Sequence, residues 1–260
     1  MKNIIFFAAL AALSPLPAYC QEAPAFSKAE IAAASSDPLR YTIDPRSVTV
    51  ELLSRPAPAA PTARERGAAG NIVTIINIAN KIWGVIKDNA PVAEVESKYA
   101  AAVPQGAASP NQLYEWKGPQ TYEYRFSARN LYGAEAVSVS YKVVFSYGGK
   151  FDGKGAYLTG VTIVPGAINV LWGYKLSMSA FVPDTTITNL GTYEDPLAAM
   201  QIKLSSKIST VLKEWNGNSV YLIRGDGEMK TLVSPFKPEK NAGELAAGKA
   251  LLDPAAAFGR

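Results

Sequence analysis

Apolar and polar residues alternate with a period of two along several stretches between residues 122 and 233. The clearest is residues 137–147, where Val137, Val139, Tyr141, Val143, Phe145 and Tyr147 alternate with residues that are mostly Ser and Lys. This period is typical of strands with one buried and one solvated face. Short strands with turns between them favour antiparallel pairing. The pattern therefore predicts a mainly β fold, an antiparallel β-sandwich or an open barrel.

Glycine-rich and Asn-Gly segments separate the predicted strands. Turns are predicted at residues 130–133, 148–155, 165–166, 215–218 and 225–227. Residues 168–182 read as one strand, because the even positions from Ile168 to Met178, including Trp172 and Tyr174, are apolar. Residues 89–120 read as a loop with half a helix at 92–102.

Residues 71–88 have apolar side chains at helical spacing. The stripe consists of Ile72, Ile75, Ile76, Ala79, Ile82, Trp83 and Ile86. With Asn71 as N-cap, this spacing predicts an amphipathic helix. We expect the stripe to pack on the β-domain, and the alternative is contact with a membrane or a partner helix. Packing is favoured because helices that lie on lipid usually carry several Lys or Arg residues on the polar face, and this face has few.

The chain begins with a cationic start and a short apolar run, followed by small residues and Cys20. This layout predicts a bacterial secretory signal peptide over residues 1–20, cut after Cys20 or, as a second choice, after Ala18. Lipidation of Cys20 is the alternative, and Tyr19 fits it poorly. The protein is therefore expected to be exported, to the periplasm, the outer membrane or the exterior.

The predicted domain covers residues 71–234, with extended segments on both sides. Residues 21–70 read as a leader with a short helix at 27–36 and an isolated strand at 47–53, ending in a Pro/Ala-rich linker. Cleavage near Arg64 or Arg66, as in a pro-region, is an alternative. Residues 235–260 read as a flexible tail.

Composition excludes several classes of chemistry. The 260 residues contain no histidine and one cysteine, Cys20, which rules out His-dependent catalysis and Cys- or His-ligated metal sites. The net charge of +4, without a Lys/Arg run among aromatics, gives no support to a nucleic-acid partner. No cofactor is implied.

No motif in the sequence points to catalysis or to a metal. Residues 148–155 resemble a phosphate-binding loop but lack a following helix, so a hairpin is favoured. Asp152, Asp184 and Asp226 lack the neighbouring oxygen ligands of a calcium loop. A carboxylate pair for glycoside hydrolysis could be drawn from Glu123, Glu135, Asp152, Glu194 and Asp195, all in ordinary surface positions.

Aromatic residues in predicted loops are the remaining candidates for function. Trp116, Tyr193 and Trp215 lie in such loops and could stack on a sugar or anchor a protein interface, although most strand aromatics fill cores. The expected function is a non-enzymatic binding or structural module of a bacterial envelope or exterior, contacting protein or glycan. The alternatives are a membrane-active protein that inserts the 71–88 helix and a carboxylate-dependent hydrolase.

Overall fold

The computed structural model describes residues 25–57, 73–93 and 98–235, which form two antiparallel sheets packed face to face. The one α-helix among these residues is α1, Lys28–Ser36. The strands are β1 Thr49–Ser54, β2 Ile75–Asn77, β3 Ile82–Lys87, β4 Ala90–Pro91, β5 Ala100–Pro104, β6 Lys117–Arg129, β7 Glu135–Phe151, β8 Lys154–Val170, β9 Lys175–Phe181, β10 Thr188–Asn189, β11 Ala198–Ser209, β12 Glu214–Arg224 and β13 Met229–Val233. The predicted mainly β sandwich is confirmed.

The strand order places long central strands inside each sheet. The first sheet runs β1-β6-β7-β8-β5-β2, and the second runs β13-β12-β11-β9-β3-β4 with β10 paired to β11. The predicted alternation is confirmed in β7, where Val137 to Phe145 bury every second side chain, and in β11, where Met200, Ile202 and Leu204 are buried. These inward faces form the core between the sheets, because alternate side chains of a strand point to opposite faces.

The predicted helix at residues 71–88 is wrong, because the described part of this segment forms β2 and β3. Ile75 pairs with Pro104 at one sheet edge, whereas Trp83 pairs with Ala180 in the other sheet. Isoleucine and valine favour strands, and a bulge between Gly84 and Ile86 shifts the strand's inward positions so that they imitate helical spacing.

Four further elements differ from the prediction. The predicted turn at residues 165–166 is wrong, because these residues lie within the continuous strand β8. The long strand at 168–182 is two strands, β8 and β9, joined by a turn at residues 171–174. Residues 215–218 are not a turn, because β12 already begins at Glu214 and the connection lies at residues 210–213. The half-helix at 92–102 is contradicted by β5, whose Ala100–Pro104 backbone is buried within the first sheet.

Part of the expected leader packs on the sandwich. Helix α1 begins with a capping box, in which Ser27 Oγ accepts the Glu30 N–H at 3.2 Å and Glu30 accepts the Ser27 N–H at 2.7 Å. Tyr41 and Val48 are buried, and β1 pairs with β6 at the edge of the first sheet. The predicted signal peptide, most of the predicted Pro/Ala linker, Ile72 and nearly all of the predicted tail lie outside the described residues.

Candidate functional site

Trp116 and Tyr193 lie at one end of the sandwich, called here the hairpin end, where the β7–β8 turn at residues 152–153 meets the loop at 190–196. The Trp116 ring packs directly over Gly149 and is partly buried. A Cβ on that glycine would lie 2.5 Å from the ring, so the contact requires glycine. Tyr193 is exposed beside Lys154, which binds Glu194 at 2.5 Å. Tyr193 is therefore the accessible one of the pair.

Trp215 lies far from the other two candidates. It belongs to β12, is partly buried, and its ring centre is 5.8 Å from that of Phe126. Phe126 pairs with Val139, which lies ten residues from Gly149 along β7, so roughly 33 Å separates Trp215 from Trp116. The three candidates do not form one site.

The predicted stripe of residues 72–86 belongs mostly to the core. Ile75, Trp83 and Ile86 are buried and Ile76 is partly buried, whereas Ile82 is 69% exposed. Ile72 is outside the described residues. Since these residues lie on strands of two different sheets, no helix is present there to insert into a membrane.

The end of the sandwich opposite the hairpin end carries six large apolar side chains that are exposed to solvent. We call it the aromatic end and define it by Leu39, Leu131, Tyr132, Leu171, Trp172 and Leu212, which are 44–61% exposed. Sequence reasoning missed them. The available signal was a pair of large apolar residues directly before a turn glycine, in Leu131-Tyr132-Gly133 and Leu171-Trp172-Gly173.

The turn at residues 130–134 is held rigidly. The Asn130 side-chain oxygen accepts the backbone N–H of Tyr132 at 3.1 Å and of Ala134 at 3.0 Å, while its amide donates to the Arg40 carbonyl at 3.1 Å. The Tyr132 hydroxyl donates to Asp37 at 2.9 Å. The turn is therefore fixed against the 37–42 loop with its apolar residues facing outward.

The turn at residues 171–174 is fixed by aromatic packing. The buried Tyr41 ring lies 6.0 Å from the Trp172 ring in edge-to-face geometry and 6.2 Å from the Tyr174 ring. Tyr174 donates its hydroxyl proton to the Arg40 carbonyl, and its burial raises the pKa of the phenol to about 12. A side chain at Gly173 would collide with Tyr41, which explains the glycine.

The two ends differ in electrostatics. At the hairpin end, the lysines of the ion pairs Lys150–Glu115 and Lys154–Glu194 reach carboxylates at 2.7 and 2.5 Å. At the aromatic end, seven cations make no ion pair with a described residue: Lys28, Arg40, Arg46, Lys87, Arg129, Lys175 and Lys213. The carboxylates there outside ion pairs are Glu30, Asp37, Asp44 and Asp88, so positive charge is in excess.

A shallow open depression of about 340 Å³ adjoins the aromatic end on the first sheet. Glu135, Ser138, Asn169 and Leu171 contribute to its lining. Both Glu135 carboxylate oxygens accept from Arg125 at 2.9 Å, so this acid is held as an ion-paired carboxylate. The depression extends the aromatic end with a polar margin.

Buried phenols form the polar part of the core. The hydroxyls of Tyr141 and Tyr221 lie 2.6 Å apart between the two sheets, and the Tyr124 ring lies 5.6 and 5.0 Å from the two rings. Burial raises the pKa of both hydrogen-bonded phenols well above the usual value. Their protons are retained in the folded state, and their role is to link the sheets.

Three glutamates of the described residues have a perturbed pKa, and in each the pKa is lowered. Hydrogen bonds from Ser27, Lys207 and Lys230 lower the pKa of Glu30, Glu214 and Glu228, respectively. A glycosidase acid requires a raised pKa. Over the described ranges, the acidic residues do not form a group of three or more that could hold a metal ion.

No helix within residues 25–57, 73–93 and 98–235 is long and apolar enough to cross a membrane. Comparison with known proteins found no family model, curated protein or solved structure that matches the chain.

Proposed function

We propose that the chain is an exported, non-enzymatic binding module of a bacterial envelope or exterior that contacts its partner through the aromatic end. One observation carries the proposal: six large apolar side chains are exposed together at one end of the sandwich, on turns that are rigidly held from behind. Exposed apolar patches on soluble proteins commonly mark interaction sites.

Three further points support a binding role over the two alternatives, catalysis and membrane insertion of a helix. The chain has no histidine, and its one cysteine lies in the predicted signal peptide. The carboxyl groups with perturbed pKa values are stabilised as anions, which does not suit the hydrolase alternative. The alternative in which the 71–88 helix inserts into a membrane lacks its helix.

Rigid presentation favours binding energetically. The Asn130 hydrogen bonds and the Tyr41 packing fix the turn backbones before any partner arrives. A surface that is already ordered loses little conformational entropy on association. The aromatic end is therefore suited to recognition as it stands.

The test is sedimentation of the purified protein with isolated cell envelopes of the producing bacterium. The variant Leu131→Ser/Trp172→Ser removes two exposed side chains of the aromatic end, and Leu190→Ser/Tyr193→Ser is the matched control at the hairpin end. We expect at least a tenfold loss of binding in the first variant and less than twofold in the control.

Both variants should remain folded, because all four side chains are about half exposed. Loss of the Trp172–Tyr41 ring contact should lower the free energy of unfolding of the first variant by about 0.5–1.5 kcal/mol. Equal binding by both variants, loss in the control variant instead, or no binding by the unchanged protein would each contradict the proposal.

A further inference from the structure

We propose that the partner of the aromatic end is a lipid surface with anionic headgroups, into whose interface Leu131, Tyr132, Leu171 and Trp172 insert. This inference rests on the proposed function and names the partner class for that same surface. Insertion of these side chains uses the turn tips of a rigid sandwich and requires no helix.

The first argument is the position of the apolar residues. They lie at the tips of separate turns, and Leu171 alone among these four also lines the shallow depression on the first sheet. Side chains that project from separate turns do not form the well-packed pockets in which protein interfaces hold their anchors. A bilayer interface adapts to such tips and buries them.

The second argument is the type of side chain. Trp and Tyr are enriched at the membrane–water interface because they combine an apolar ring with a polar edge. At the aromatic end, Trp172 and Tyr132 each follow a leucine that is also exposed, Leu171 and Leu131. Leucine favours the acyl region below the headgroups, so each turn carries one side chain suited to the interface and one suited to the acyl region.

The immediate surroundings of Trp172 favour lipid over sugar. The ring is flanked in sequence by Leu171 and Gly173 and packs against Tyr41. A sugar on an aromatic ring also needs polar groups for its hydroxyls. Most polar groups nearby are already bonded within the protein: Tyr132 donates to Asp37, and Glu135 and Ser138 of the adjoining depression both accept from Arg125.

The third argument is charge. Behind the tips, the cations without an ion pair to a described residue outnumber the corresponding carboxylates by seven to four. Arg40 and Arg129 are exposed close to the Asn130 turn, where Asn130 bonds the Arg40 carbonyl. Arginines near a surface of anionic lipid strengthen binding, and the effect decreases with salt.

The experiment measures co-sedimentation of the purified exported protein with vesicles of phosphatidylglycerol and phosphatidylcholine in equal parts, and of phosphatidylcholine alone. We expect stronger binding to the anionic vesicles, weakened by high salt. Leu131→Ser/Trp172→Ser should lose at least tenfold in partition coefficient, and the control Leu190→Ser/Tyr193→Ser less than twofold.

Depth is measured by quenching tryptophan fluorescence with lipids brominated near the headgroup. Trp83 is buried and Trp116 and Trp215 are partly buried, so Trp172 is the exposed tryptophan of the described residues. Quenching that disappears in Trp172→Phe supports insertion. Quenching that persists in this variant contradicts it.

Failure of this inference can be distinguished from failure of the proposed function. Loss of envelope binding in Leu131→Ser/Trp172→Ser, together with no binding to either vesicle, would overturn the lipid partner and leave a protein or glycan partner at the same surface. Equal vesicle binding by the two double variants would also overturn it.

Discussion

The paired hydroxyls of Tyr141 and Tyr221 allow a quantitative test of how the two sheets are joined. Both side chains are fully buried, their hydroxyl oxygens are 2.6 Å apart, and Ser219 lies near both hydroxyls. Changing either residue to Phe keeps the ring packing and removes one hydroxyl.

The expected energies follow from the hydrogen-bond count. Tyr141→Phe or Tyr221→Phe alone leaves one buried hydroxyl without its tyrosine partner, so each should lower the free energy of unfolding by about 1–2 kcal/mol. In the double variant no tyrosine hydroxyl remains to be satisfied. The total loss should therefore be about 2 kcal/mol, with a coupling energy near 1 kcal/mol.

The assay is equilibrium urea unfolding of the four proteins in a double-mutant cycle, followed by far-UV circular dichroism. Tyr132→Phe is the matched control, because its hydroxyl bonds Asp37 on an exposed turn and its removal should change stability by less than about 0.5 kcal/mol. Additive losses, or single losses no larger than the control, would refute the inter-sheet hydrogen bond.

Two further predictions concern the strands and the pH dependence. Trp83→Ala should lower the free energy of unfolding by about 3–5 kcal/mol, whereas Ile82→Ala, at a 69% exposed position on the same strand, should lower it by less than about 1 kcal/mol. Thermal and urea unfolding measure both losses, and equal losses in the two variants would contradict the strand assignment. Burial also raises the pKa of Tyr157 from 10.0 to about 12. Above pH 10 the unfolded chain releases this proton first, so stability is complete below that pH and falls above it, by up to about 1.4 kcal/mol per pH unit and phenol. Phenolate absorbance should rise together with unfolding, and ionisation near pH 10 in a still-folded protein would contradict the prediction.

The strands with one solvated face could be predicted from sequence because their pattern is local. In β7 and β11 each inward residue is followed by an outward polar one, so the period of two survives without knowledge of the neighbours. The turns at 130–133 and 225–227 were equally local, since glycine and asparagine adopt the required backbone conformations.

Segments buried on both faces could not be predicted in this way. Strand β5 is Ala-Ala-Ala-Val-Pro, buried throughout, and alanine favours neither strand nor loop strongly enough to show it. At residues 75–86 the isoleucines fit a helix and two short strands equally well. Only pairing with β5 and β9 distinguishes these structures, and that pairing is tertiary.

The aromatic end, too, could be predicted from the sequence only in part. The local sequence pattern is enough to predict the mainly β class, the absence of histidine chemistry and the presence of large apolar residues beside turn glycines. Which of these residues are exposed together depends on the tertiary fold. Trp215 packs against Phe126 and is partly buried, whereas Trp172, which is distant in sequence from Tyr132 and Leu39, lies at the same end as those two residues. Exposure depends on which strands end side by side, and that is a property of the strand order rather than of any local pattern.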